Sequence, residues 1–253
     1  MKNILSKIKI DYSTYILILV GLLAGYIKNI FILLLIVIIH ELGHVFFFYL
    51  FNIRVESITI YPYGGMSVVT KKLHERIYKD LLISVGGILF QVLLYFIFTN
   101  LYNSNLIAFS TYKLFKMYNF SILVFNLIPI IPLDGSKFLF SLFSKYLSYK
   151  DSYIMMIIIG SVSLIVFVIY NFVYKLNDLI LYIFLLYELL LVIKNYKYIM
   201  NRFYLERVLY DHYYNGIINN ELDIDKLRID KFYFFKDENR FVNEKDYIKR
   251  RYY

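Results

Sequence analysis

The sequence predicts an all-α polytopic membrane protein: about six transmembrane helices, a short β-hairpin insertion and a small cytosolic C-terminal domain. Three observations carry that expectation. The 253 residues are 60% hydrophobic and only 19% charged, where a soluble domain holds about 45–50% apolar and about 25% charged residues. The apolar residues gather into long runs that suit a hydrocarbon core, which needs roughly 20 residues of helix. Helix breakers are rare and clustered: all three prolines and six of the ten glycines fall at Gly43, Pro62–Gly65, Gly86-Gly87 and Pro129–Gly135.

Taken in chain order, Lys2, Lys7 and Lys9 precede the first apolar run. No small-residue cleavage site follows it, so the segment reads as an uncleaved anchor and not a signal peptide. The candidate spans are Tyr12–Ile27, Ile30–Phe51, Leu81–Leu101, Phe115–Phe143 (long and interrupted), Tyr153–Tyr174 and Leu179–Ile193. Between the second and third, the β-rich stretch Arg54–Thr70 turns at Pro62–Gly65 and reads as a hairpin. Residues 1–193 are thus expected to form the membrane domain and 194–253 a cytosolic tail, with a helix over Ile199–Tyr214 and strand-like pieces beyond. With the N-terminus inside, the inner segments ahead of the tail carry ten Lys/Arg and the outer connections four. That asymmetry puts both termini in the cytoplasm.

The net charge of +9 belongs to ends and loops, which suits a membrane face better than nucleic acid. With no cysteine in the chain, disulfides and thiolate metal sites are excluded, and any metal must be held by His, Asp and Glu.

The chemistry concentrates in His40-Glu41-Leu42-Gly43-His44, inside an unbroken apolar run. On a helix, residues four apart share a face at about 5–6 Å between Cβ atoms. Two imidazoles so placed can share one zinc ion, with the intervening Glu as general base and not as a ligand. HExxH also arises by chance. Here, however, the motif takes two of the chain's four histidines, and a charged group at mid-membrane costs roughly 2.5–3.5 kcal/mol unless it is paired or functional. Catalytic zinc needs a third protein ligand. The other acids within apolar spans are Asp134 and Glu188; the prolines and glycine around Asp134 favour it by turning the chain inward, and Glu188 is the alternative. Asn126 is a lone amide in an apolar stretch, suited either to an oxyanion or to an interhelical hydrogen bond. His74 and His212 lie in polar surroundings and read as solvated.

These motifs in this order, HELGH at 40–44, Pro62–Gly65, Gly86 in the third span, and Tyr118–Gly135 with Lys137 following, resemble the site-2-type intramembrane zinc metalloproteases. Within that family they are similar to the sporulation branch, which processes a pro-sigma factor in endospore formers. The resemblance covers roughly residues 1–210. It implies one zinc ion held by His40, His44 and Asp134, Glu41 as catalytic acid/base, and Asn126 near the substrate. The hairpin turn, Pro62, Gly64 and Gly65, is expected to hold an extended substrate by strand addition. The chain departs from the family in carrying Gly86-Gly87 where Gly-Pro is common. It also lacks a PDZ-sized insertion between the second and third spans, and its tail is shorter than the nucleotide-binding CBS domain often appended to this branch.

Expected partners are therefore a membrane-associated protein substrate such as a pro-sigma factor, membrane-bound regulatory proteins and the lipid bilayer, with no nucleic acid. Competing readings are a site-2 protease acting on anti-sigma factors or signal-peptide remnants, and a non-catalytic metal- or ion-binding membrane protein.

Overall fold

A computed structural model describes residues 8–61, 64–70, 76–174, 179–210, 214–221, 223–237 and 240–252. Pro62, His74 and His212 lie outside the described residues. Helices dominate the described residues, and among those residues three helices, Ile27–Leu50, Ile77–Asn103 and Tyr149–Ile169 within a longer helix, are long and apolar enough to cross a membrane. The chain divides into two units, residues 1–71 with 82–126, and residues 72–81 with 127–253.

In the first unit a short strand β1 (Ile8–Ile10) leads into α1 (Tyr12–Leu23), whose N-cap is Asp11. The Asp11 carboxylate accepts from the Ser13 N–H at 3.0 Å, satisfying one of the amides a helix start leaves over. Gly25, at φ 79°, makes the turn into α2 (Ile27–Leu50), a backbone conformation that a side chain disfavours. Asn52 ends α2 in the left-handed region at φ 57°, and the Ile53 N–H returns to the Phe48 carbonyl at 2.8 Å, the usual way of satisfying a last-turn carbonyl.

Two strands follow, β2 (Arg54–Tyr61) and β3 (Gly64–Thr70), antiparallel as expected, with a register shift between Val55 and Ser57. The strand β1, which the lysine-rich N-terminus hides, pairs parallel to β2 and gives the order β1-β2-β3. Both hairpin strands lie against α2.

Helices α3 (Ile77–Asn103) and α4 (Phe109–Leu127) complete this unit apart from their outer ends. Gly86-Gly87 leaves α3 unbroken. Ile32, Ile36, Leu94 and Phe115 form the buried apolar contact of α2, α3 and α4, with Phe98 stacked on Phe115 at 3.8 Å. Near the hairpin end, Gly43 and Gly86 let two backbones meet: a Cβ on Gly43 would stand 2.7 Å from the Gly86 carbonyl carbon.

The larger stretch of the second unit, from residue 127 on, begins where the prolines stop the helix. α4 ends at Leu127, and α5 (Asp134–Ser144) starts after an extended Leu133, as Pro129 and Pro132 require. α6 (Tyr149–Tyr174) and α7 (Leu179–Lys194) pack together. α6 buries Met156 and Leu164 but turns Ile158, Val162, Ile165, Val166 and Ile169 outward. An apolar outer face of that extent is what lipid, not water, selects. α1, at 12 residues, and α7, at 16, are shorter than a full crossing.

Beyond Lys194 the character changes. α8 (Tyr196–Leu209), β4 (Ile217–Glu221), β5 (Phe232–Asp237), β6 (Arg240–Asn243) and α9 (Glu244–Tyr252) follow. The sheet order is β4-β5-β6, its first pair parallel and its second antiparallel. Phe203, Leu227, Tyr233, Phe235 and Ile248 are buried between these elements, and this core continues onto Tyr149 and Tyr153 of α6. At its centre Arg207 and Glu244 are both fully buried. The guanidinium grips the carboxylate through Nε (3.0 Å) and an NH2 group (2.7 Å), and donates to the carbonyls of Arg228 (2.7 Å) and Lys231 (2.6 Å). Glu244 also accepts from the Tyr214 hydroxyl and the Tyr233 N–H, each at 3.0 Å.

Candidate metal centre

His40, Glu41 and His44 sit at mid-length of α2 and are buried to 4, 7 and 7% exposure. They are the group of potential ligands that the described residues bring together, with one donor atom from each lying within 4.8 Å of the others. The helical spacing turns both rings to one side, edge to face with centroids 4.9 Å apart.

The proton positions follow from the partners. His44 Nδ1 lies 2.7 Å from the Ile83 carbonyl, which can only accept, so Nδ1 carries the hydrogen. His40 Nδ1 lies 3.0 Å from Gln91 Oε1, again an acceptor. Each ring therefore presents the Nε2 lone pair, and the two Nε2 atoms face one another at 3.1 Å. Two lone pairs at that separation repel unless a cation lies between them. Two nitrogens each about 2.0–2.1 Å from one zinc ion at a tetrahedral angle stand about 3.3 Å apart. The donor set and its spacing thus fit zinc.

Close packing shapes the space around these groups. Gly87 on α3 passes directly over His40, where a Cβ would stand 2.5 Å from Nε2. Gly65, second residue of β3, passes equally close to Glu41, where a Cβ would stand 2.5 Å from Oε1. The hairpin therefore borders the Glu41 carboxylate through a residue with no side chain, and Gly64 opens the same strand opposite Tyr61.

Asp134 belongs to the second unit. It lies in the first turn of α5, 4% exposed, and accepts from Lys137 Nζ at 2.9 Å. Glu188, half-buried, lies on α7. Asn126 is half-buried in the last turn of α4, and its position seven residues after Asn119 puts both amides on nearly the same helix face.

Two polar residues behind His40 escaped the sequence reading. Gln91 on α3 is 0% exposed and Asn119 on α4 is 3% exposed; Gln91 Nε2 donates to Asn119 Oδ1 at 3.4 Å. The signal that singled out Asn126, one amide in an apolar span, applies equally to Gln91 in Leu89-Phe-Gln-Val-Leu93.

Comparison with known proteins agrees with a membrane metallopeptidase. Residues 28–107 and 100–169 match Peptidase family M50, and the chain belongs to that family, the site-2 proteases. It is 33% identical over 213 residues to stage IV sporulation protein FB of Bacillus subtilis (strain 168), covering 81% of this chain and 72% of that protein. It is 29% identical over 152 residues to a zinc metalloprotease of Methanocaldococcus jannaschii, 56% of this chain and 44% of that one. The solved site-2 protease from Methanocaldococcus jannaschii shares the fold, with a TM-score of 0.56 over 75% of this chain and 92% of that chain, at 23% identity.

Proposed function

We propose that the chain is an intramembrane zinc endopeptidase that hydrolyses a peptide bond in a membrane-associated protein, the pro-sequence of a sporulation sigma factor. One observation carries the reading: two buried imidazoles, each with Nδ1 held by an acceptor, face their Nε2 atoms together at 3.1 Å beside a buried carboxylate. The substrate class rests on the likeness to stage IV sporulation protein FB. In this reading His40, His44 and Asp134 hold one zinc ion per chain. The ion supplies Lewis acidity, acidifying water and polarising the scissile carbonyl.

The chain's own groups do the rest. Glu41 takes a proton from the attacking water and returns it to the departing amide nitrogen. Asn126 donates a hydrogen bond to the developing oxyanion. A helical substrate hides its carbonyls in its own hydrogen bonds and must unwind to be cut. The unwound segment is held by strand addition through Pro62, Gly64 and Gly65; β3, which opens at Gly64, is an outer strand of its sheet. Residues 1–193 make the multi-pass membrane domain, 194–253 a cytosolic tail, and both termini are cytoplasmic, as the Lys/Arg distribution supports.

The test is Glu41→Gln, assayed for cleavage of a pro-sigma substrate in co-reconstituted vesicles. Cleavage is expected to disappear while bound zinc remains. Cleavage at the unmodified rate would overturn the assignment.

A further inference from the structure

Burying two primary amides among apolar helices is costly unless each is hydrogen-bonded. Gln91 and Asn119 meet that cost in a chain that ends on a candidate zinc ligand: Asn119 Oδ1 accepts from Gln91 Nε2 at 3.4 Å, and Gln91 Oε1 faces His40 Nδ1 at 3.0 Å. We propose that Gln91 is a positioning residue that sets the His40 tautomer for zinc, and that Asn119 keeps the Gln91 amide the right way round. The inference rests on the zinc reading above.

An amide has one end that accepts and one that donates, of nearly equal shape. With Oε1 toward His40, Nδ1 must be the donor, and the Nε2 lone pair is directed at His44 Nε2, 3.1 Å away. With the amide turned over, its N–H would donate to Nδ1, the ring hydrogen would move to Nε2, and His40 could no longer ligate. The two histidines are thus set by different devices. His44 leans on the Ile83 carbonyl, which is fixed in the α3 backbone and cannot be reversed. His40 leans on a side chain that can, so its correct form needs a latch. Asn119 on the adjacent helix α4 is that latch. Partners that orient a metal-binding histidine in this way are worth about 10- to 100-fold in metal affinity.

The experiment measures the Zn2+ dissociation constant of the full chain in detergent by chelator competition, with circular dichroism and thermal melts to verify folding. Gln91→Leu is expected to raise the constant about 10- to 100-fold. Gln91→Glu keeps an acceptor at both ends and is expected to bind at least as tightly as the parent. Asn119→Leu should weaken zinc when Gln91 is present and have no effect in the Gln91→Glu background, because a carboxylate has no wrong way round. Should Gln91→Leu fail to fold, the Asn119→Leu comparison in the two backgrounds decides alone. Equal loss in both backgrounds, or Gln91→Glu binding as weakly as Gln91→Leu, would reduce both amides to packing and overturn the inference. A parent chain that binds no zinc would instead sink the zinc reading itself.

Discussion

Gly65→Ala tests how closely the hairpin governs Glu41. The added methyl would stand 2.5 Å from Glu41 Oε1, and the carboxylate carbon and Cγ are also within reach of the clash. Turning the carboxylate alone therefore does not relieve it. Carbon and oxygen in contact need about 3.3–3.6 Å, so Glu41 or β3 must retreat by about 1 Å. Misplacement of a reacting group by 1 Å costs about 100-fold in rate, equivalent to about 2.7 kcal/mol. The three atoms nearest the methyl all belong to Glu41, which is not a proposed zinc ligand, so zinc should stay. The assay is kcat/KM on a purified pro-sequence substrate, with zinc content measured on the same preparation. A loss of about 100-fold at unchanged zinc is expected, deepening in Gly65→Val. Turnover of Gly65→Ala at the parental rate would refute the placement of the hairpin against Glu41.

Three further outcomes follow from other contacts. Gly43→Ala forces a methyl to 2.7 Å from the Gly86 carbonyl carbon; overpacking of that kind costs about 1–3 kcal/mol, and a lowered thermal midpoint should show it. Arg207→Leu strands a fully buried carboxylate and should destabilise the tail by about 3–5 kcal/mol. Arg207→Leu with Glu244→Leu removes the stranded charge and should recover part of that loss, but not all of it, because the Arg228 and Lys231 carbonyls and the Tyr233 N–H lose these partners; denaturant titration reads the difference. In the same region the Lys150 ammonium and the Tyr204 hydroxyl hydrogen-bond Asp225 and hold its carboxyl below the usual 3.8. A depressed pKa contributes stability that is present above the ordinary value and lost as pH falls through the folded one. Acid melts should therefore lose stability below about pH 4 in the parent, and less of it in Asp225→Asn.

The parts of the fold that depend on local pattern were legible in the sequence. Tyr12, Leu81 and Tyr153 lie at or within four residues of where α1, α3 and α6 begin, and the Pro129–Pro132 break separates α4 from α5 at Asp134. HELGH was legible because two histidines at helical spacing have one physical consequence. What depends on distant partners was not. The strand β1 is three residues long and exists only by pairing with β2. The parallel pairing of β4 and β5, and the Arg207–Glu244 pair joining α8 to α9, join residues 14 to 37 apart. Gln91 and Asn119, 28 residues apart, acquire meaning only once α3 and α4 are placed beside α2.

The zinc content of detergent-purified protein, set beside Asp134→Ala and His44→Ala, tests the central claim most directly. The proposed function predicts about one zinc per chain in the parent and a sharp reduction in both variants. A folded parent chain that retains no zinc would contradict it.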